Sequence, residues 1–147
     1  MDIYNTTEFN NTEPKELKLL IVDDSLIMRK NLTRNIEVLG HKIIAEAKDG
    51  QESIDCYKTL SPDLVTMDIT MPGMDGITAV KKIKQFDSNA NIIMVTSHGQ
   101  EAMVMDALKA GAKGYMLKPV TADKLREAIG RIFPELAGTV EEELLDS

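Results

Sequence analysis

Four short apolar runs in this sequence each lead into side chains that could take part in chemistry. Asp23 and Asp24 follow the first run, Asp68 ends the second, Thr96 ends the third, and Lys118 follows the fourth. Such runs are typical of buried strands in a parallel sheet, whose carboxyl ends meet at one edge. The sequence therefore predicts that three carboxylates, a hydroxyl and an ammonium lie together at that edge.

Three carboxylates at one place need a counter-ion, because like charges at short range raise pKa values and cost stability. A divalent cation bound by Asp23, Asp24 and Asp68 would remove this repulsion. Oxygen ligands without clustered His or Cys favour Mg²⁺ or Mn²⁺ over zinc, and Mg²⁺ keeps waters that phosphoryl oxygens can replace. We therefore expect a Mg²⁺ or Mn²⁺ site at these three residues.

Lys118 and Thr96 suit a phosphoryl group at the same place. An ammonium and a hydroxyl can hold its non-bridging oxygens, since phosphoryl transfer depends on positioning and charge neutralisation. The carboxylate of Asp68 is then the expected nucleophile, and its attack on phosphorus would form an acyl phosphate. Each residue taken alone also fits a purely structural role. Four strand ends with complementary chemical groups together favour a site for a phosphoryl group and a cation.

Alternating strand and helix patterns would position these residues. Strands are predicted at 17–22, 43–47, 64–67, 92–96 and 114–117, and helices at 26–39, 51–60, 77–86, 101–110 and 122–133. Ser25 and Thr121 are predicted helix N-caps, and Gly40 and Gly111 are predicted to end two helices. The pattern predicts a three-layer, doubly wound α/β fold with a five-stranded parallel sheet and right-handed crossovers.

Composition and charge indicate one globular domain with acidic ends. The 147 residues are 43% hydrophobic and 28% charged, and no apolar stretch approaches the roughly 20 residues of a membrane span. Residues 1–13 and 134–147 hold eight acids and no Lys or Arg, so the rest of the chain carries 17 bases against 16 acids. No basic patch suggests nucleic-acid binding. We expect a flexible leader at 1–14, one domain at 15–133, and an acidic tail at 134–147 that is disordered, loosely packed or a short helix.

Two further features concern cellular location and surface. The N-terminus lacks a secretory signal and the single Cys56 cannot form an internal disulfide, which favours a cytoplasmic protein without membrane insertion. Cys56 is interpreted as a partly buried helix residue and not as a redox centre. The lysines Lys81, Lys82 and Lys84 are interpreted as a solvated helix face.

The motifs resemble the receiver domain of two-component response regulators, the CheY-type fold, over about residues 15–133. The resemblance is carried by Asp23-Asp24, Met67-Asp68 with Met71-Pro72-Gly73-Met74-Asp75-Gly76, Val95-Thr96-Ser97, and Gly111-Ala112 followed by Gly114-Tyr115 and Lys118-Pro119. It implies the flavodoxin-like strand order 2-1-3-4-5, with the site at the topological switch point between strands 1 and 3. It also implies a cis peptide bond before Pro119.

By this resemblance, Asp68 would accept a phosphoryl group from the phosphohistidine of a histidine kinase. The Mg²⁺ that this reaction needs would be held by that carboxylate together with Asp23, Asp24 and the backbone carbonyl of Thr70. The chain would then be a signalling protein that catalyses only its own phosphorylation and dephosphorylation, and not an enzyme with a turnover substrate.

The resemblance also implies a switch. Thr96 and Lys118 would bind the phosphoryl oxygens, and Thr96 would move toward them while Tyr115 rotates inward. This change would remodel the face formed by helix 4, strand 5 and helix 5, which would bind a downstream protein such as a motor or adaptor component in chemotaxis. Thr70 and His98, each two residues beyond a site residue, would set the lifetime of the phosphoryl group.

Other functions need other features. A phosphorelay intermediate or phosphate sink would pass the group to another histidine protein without an output surface, and Tyr115 mildly favours the switch instead. An aspartate-nucleophile phosphatase would need a second acid where Thr70 stands. A flavodoxin-like electron carrier would need a hydroxyl- or glycine-rich loop where Asp23, Asp24 and Ser25 stand, so both enzyme-like alternatives are disfavoured.

Overall fold

The computed structural model of this chain describes residues 15–97, 99 and 101–136. The predicted leader at 1–14, His98, and all but three residues of the predicted acidic tail lie outside the described residues. Of that tail, Pro134 to Leu136 form a helical turn, and Leu136 packs against the core.

Five strands alternate with five helices along the chain. The strands are β1 (Lys18–Val22), β2 (Lys42–Ala47), β3 (Leu64–Asp68), β4 (Ile92–Thr96) and β5 (Gly114–Leu117). The helices are α1 (Leu26–Val38), α2 (Gly50–Leu60), α3 (Gly76–Phe86), α4 (Glu101–Ala110) and α5 (Ala122–Ile132). The predicted elements are confirmed, and the first and last residues of each element agree with the prediction to within one residue. Among the described helices, none has the length and apolarity that a membrane crossing requires.

The strands form one parallel sheet in the order β2-β1-β3-β4-β5, which confirms the predicted doubly wound fold. Successive residues of a strand face opposite sides of the sheet. Leu20 and Val22 of β1 therefore lie in a core with α2, α3 and α4, and Leu19 and Ile21 lie in a core with α1 and α5. Cys56 is half-buried against the first core, as predicted, and burial raises the pKa of its thiol.

Polar caps fix where the helices begin beside the sheet edge. The side chains of Ser25, Asp49, Asp75 and Thr121 each accept a hydrogen bond from the backbone N–H three residues further on. These bonds satisfy N–H groups that a helix leaves unpaired in its first turn. The caps predicted at Ser25 and Thr121 are confirmed, and they hold the chain where β1 and β5 end.

The lysines of α3 do not all lie on a solvated face, so that interpretation is wrong for Lys84. Lys81 and Lys82 are exposed, but Lys84 is half-buried and its Nζ donates a 3.0 Å hydrogen bond to the carbonyl of Ala90. Its methylene groups pack against Gly111, which has no side chain. A Cβ added to this glycine would lie 2.9 Å from the Cε of Lys84. A long lysine stem can cover apolar surface in this way while its ammonium finds a polar partner.

Candidate functional site

The carboxyl ends of four neighbouring strands bring five of the predicted site residues to one edge of the sheet. Asp23 and Asp24 follow β1, Asp68 ends β3, Thr96 ends β4, and Lys118 directly follows β5. Asp23, Asp68 and Thr96 are buried, Asp24 is exposed, and the side chain of Lys118 keeps 13% of its exposure. The acids and the ammonium therefore meet in a partly dry site, where charges act on one another strongly.

The three carboxylates form a compact cluster. Asp23, Asp24 and Asp68 each offer one oxygen, and these atoms all lie within 4.8 Å of one another. Burial raises the pKa of Asp68 to about 6, an effect that Lys118 opposes and that the two neighbouring acids increase. The carboxylate of Asp68 is thus destabilised in its ionised form, and a cation at the cluster would relieve this.

The two carboxylate oxygens of Asp23 have different partners. The Oδ1 of Asp23 accepts a 2.9 Å hydrogen bond from the N–H of Ser25. Its Oδ2 is buried, and its partner among the described residues is the Nζ of Lys118, 2.9 Å away in an ion pair. One ammonium does not neutralise the three acids of the cluster. The donor chemistry therefore fits a hard divalent cation such as Mg²⁺.

Lys118 bridges the two buried acids. Its Nζ lies 2.9 Å from Asp23 Oδ2 and 3.7 Å from Asp68 Oδ1. Its backbone N–H donates a 2.8 Å hydrogen bond to the carbonyl of Thr96, which fixes the end of β5 against β4. The bond between Lys118 and Pro119 is cis, as the resemblance implies.

Three other predicted site residues, Thr70, Tyr115 and His98, are not part of the cluster. Thr70 has an exposed side chain, and its backbone N–H donates a hydrogen bond to Asp68. Tyr115 lies on the edge strand β5 opposite Met94 and is 46% exposed. The structure thus brings Thr70 to the site and places Tyr115 on the surface of α4, β5 and α5, while His98 lies outside the part that it describes.

Arg29 is a functional candidate that the sequence analysis missed. It is a buried residue of α1, and its guanidinium donates a 2.8 Å hydrogen bond to the backbone carbonyl of Asp23 and a 2.9 Å hydrogen bond to Glu46. These bonds tie the segment that carries Asp23 to α1 and β2. A signal was present in the sequence, because Arg29 shares the helical spacing of the buried residues Leu32 and Ile36.

Gly76 lies against the backbone of Asp68, where no side chain fits. A Cβ at this position would stand 2.0 Å from the carbonyl oxygen of Asp68. The N–H of Gly76 also donates a 2.8 Å hydrogen bond to the carbonyl of Ile69. The chain can turn this tightly from β3 into α3 only because glycine has no Cβ.

Gly76→Ala is expected to lower the free energy of unfolding by about 2 kcal/mol or more, because overpacking against backbone cannot be relieved by a rotamer change. Urea unfolding would measure this loss. Gly114→Ala is the matched control, since a Cβ there meets nothing within 4 Å and the free energy should hardly change. Equal effects of the two substitutions would contradict the close approach at Gly76.

The chain is similar in sequence to known proteins. The family model described as the response regulator receiver domain matches residues 19–130. Chemotaxis protein CheY of Bacillus subtilis is 51% identical over 114 residues, which cover 78% of this chain and 95% of the relative. Chemotaxis protein CheY of Halobacterium salinarum is 48% identical over 115 residues, which cover 78% of this chain and 95% of the relative.

A solved structure is similar as well. The CheX-CheY-BeF3-Mg complex from Borrelia burgdorferi contains a chain that matches with a TM-score of 0.78 and 40% identity, over 85% of this chain and 93% of that one. With its receiver motifs, its fold and these relatives, the chain belongs to the response regulator receiver domain family.

Proposed function

We propose that this receiver accepts a phosphoryl group on Asp68 and acts as a response regulator in chemotaxis. The observation that carries the proposal is the position of the Asp68 carboxylate, which lies within the cluster of Asp23 and Asp24 and 3.7 Å from the Nζ of Lys118. An oxygen of this carboxylate would attack the phosphorus of a histidine kinase's phosphohistidine and form an acyl phosphate. The names of the CheY relatives support the role in chemotaxis.

Asp23, Asp24 and Asp68 would hold the Mg²⁺ that the reaction needs, with the backbone carbonyl of Thr70 as a further ligand. Once bound, the cation neutralises charge on the phosphoryl oxygens and orients them. Mn²⁺ prefers similar oxygen ligands and would serve in the same place. Without a divalent cation, the three acids of the cluster have one lysine as their cationic partner among the described residues, so their negative charge favours binding a cation.

Lys118 and Thr96 would hold the remaining phosphoryl oxygens. Lys118 is poised for this role because its ammonium is already close to Asp68 and little exposed to solvent. Thr96 ends β4, in which the preceding residue, Val95, is paired with Asp68. A turn of Thr96 toward the phosphoryl group would open space for Tyr115 to rotate inward.

The output face would be the surface of α4, β5 and α5. Four apolar side chains of α4 and β5 are between 38% and 46% exposed: Met105, Leu108, Tyr115 and Leu117. An exposed apolar patch of this kind marks a protein contact. The partner would be a downstream motor or adaptor component, and the CheX-CheY complex supports a protein as the partner.

Three smaller assignments belong to the same proposal. Thr70 and His98 would set the lifetime of the acyl phosphate by limiting the access of water to Asp68. The chain would catalyse only its own phosphorylation and dephosphorylation. It would act in the cytoplasm, where a histidine kinase would supply the phosphoryl group.

Beryllofluoride, a phosphoryl mimic, tests the site and the face together. With Mg²⁺ present, amide chemical shifts should change at Asp68, Thr96 and Lys118, and also at Tyr115 and Leu117 on the output face. The Asp68→Asn variant with the same additions is the control and should show no such change. Changes confined to the acidic cluster would contradict the switch, and their complete absence would contradict the site.

A further inference from the structure

A groove between β5 and α5 combines apolar and cationic side chains, and we call it the β5–α5 groove. Three apolar lining residues are between 38% and 46% exposed: Leu108, Tyr115 and Leu117. Three lining residues are cationic: Lys113, Lys124 and Arg131. The acid in this described lining, Glu127, is paired with Arg131 at 3.0 Å. The groove therefore carries a net positive charge beside exposed apolar surface.

The chain beyond α5 has the complementary composition. Residues 137–147 contain four acids and no Lys or Arg: Glu141, Glu142, Glu143 and Asp146. Three apolar side chains flank these acids: Val140, Leu144 and Leu145. This segment, which we call the acidic segment, could thus meet both the cations and the apolar lining of the groove.

The acidic segment starts close to one end of the groove. Leu136 packs against the core, and its N–H donates a 2.9 Å hydrogen bond to the carbonyl of Phe133, so the start of the segment is held near Arg131. Eleven extended residues reach up to about 36–40 Å. Along α5, Arg131 and Lys124 are only about 10 Å apart. The acidic segment is therefore long enough to fold back and cover the groove.

We propose that residues 137–147 bind in the β5–α5 groove of the same molecule, with the three consecutive glutamates near its cations. Exposed ion pairs are individually weak, so the contact would be weak between separate molecules. The short tether compensates, because it gives an effective concentration in the millimolar range. Where the effective concentration equals the dissociation constant, the segment covers the groove half of the time.

One consequence of this contact rests on the proposed function. The groove lies on the surface of α4, β5 and α5, which that function assigns to a downstream partner. A segment that covers the groove half of the time lowers the apparent affinity for the partner about twofold. The intramolecular contact itself needs neither Mg²⁺ nor phosphorylation.

Paramagnetic relaxation in the full chain tests the contact. A nitroxide is attached to Ser147→Cys in a Cys56→Ala background, and we expect it to broaden the amide signals of Gly114, Tyr115 and Lys124. Changing Glu141, Glu142 and Glu143 to glutamine keeps the tether and should reduce this broadening several-fold. Raising sodium chloride to about 0.5 M should act in the same direction, because salt screens exposed charges.

The matched control neutralises the other end of the chain. Asp2→Asn, Glu8→Gln and Glu13→Gln together remove as many charges and should leave the broadening of the groove amides unchanged.

Four results would overturn the proposal. The broadening could be equal with and without the three glutamates, or it could be centred on another surface such as α1. It could also be lost in the N-terminal control variant, or it could occur in an unlabelled copy of the protein mixed with the nitroxide-labelled one. A failure of phosphoryl uptake at Asp68 would instead overturn the proposed function and leave this contact standing.

Discussion

Asp68→Asn is expected to reduce phosphoryl uptake from acetyl phosphate by more than about a thousandfold, because the amide removes the nucleophile on which the covalent step depends. Intact-mass spectrometry in the presence of Mg²⁺ would follow the added group in both proteins. The wild-type chain should gain one phosphoryl group and the variant none. Uptake by the variant at the wild-type rate would show that another residue is the acceptor.

The stability of the same variant is the control for folding. Because the pKa of Asp68 is raised to about 6, the folded protein binds this proton more tightly than the unfolded chain does. The stability that the proton contributes is present below the ordinary Asp pKa of about 3.9 and is lost as the pH rises through about 6. Without metal at neutral pH, Asp68→Asn should therefore be about 1–2 kcal/mol more stable than the wild type, and this difference should shrink in acid.

Lys118→Met is expected to lower the free energy of unfolding by about 2–3 kcal/mol when Mg²⁺ is chelated. The ammonium lies 2.9 Å from Asp23 Oδ2 and 3.7 Å from Asp68 Oδ1, and both acids are buried. Methionine keeps much of the length of the side chain but leaves two buried carboxylates without their cation. Urea unfolding in a chelator would measure the loss, and adding Mg²⁺ should stabilise the variant more than the wild type.

A double substitution separates charge from packing. In Asp23→Asn with Lys118→Met, the unpaired charge at position 23 is gone, so this protein should be more stable than Lys118→Met alone. A double variant that is no more stable than the single one would mean that lost packing, and not the buried charges, causes the effect. Phosphoryl uptake should be slower in Lys118→Met but still measurable, since Asp68 remains.

The sequence predicted the fold well because its local signals agree. Apolar runs of strand length alternate with amphipathic stretches, and caps such as Ser25 and Thr121 mark where helices begin. The meeting of Asp23, Asp68 and Lys118 then followed from topology, because parallel strands end at the same edge of a sheet.

Features that depend on distant neighbours were not predicted. Lys84 is half-buried because Gly111, far along the chain, leaves room for its methylene groups. Arg29 reaches the backbone of Asp23 and the side chain of Glu46 only once α1 packs beside β2. No local pattern reports such contacts, because they arise from the assembled layers.

Locating the added phosphoryl group tests the central claim most directly. The wild-type protein would be incubated with acetyl phosphate, once with Mg²⁺ and once with a chelator, and the modified residue would then be identified by peptide mass spectrometry. We predict one phosphoryl group, on Asp68, in the presence of Mg²⁺, and almost none with the chelator. A group on another residue, or equal uptake in the two conditions, would contradict a metal-dependent acceptor at the edge of this sheet.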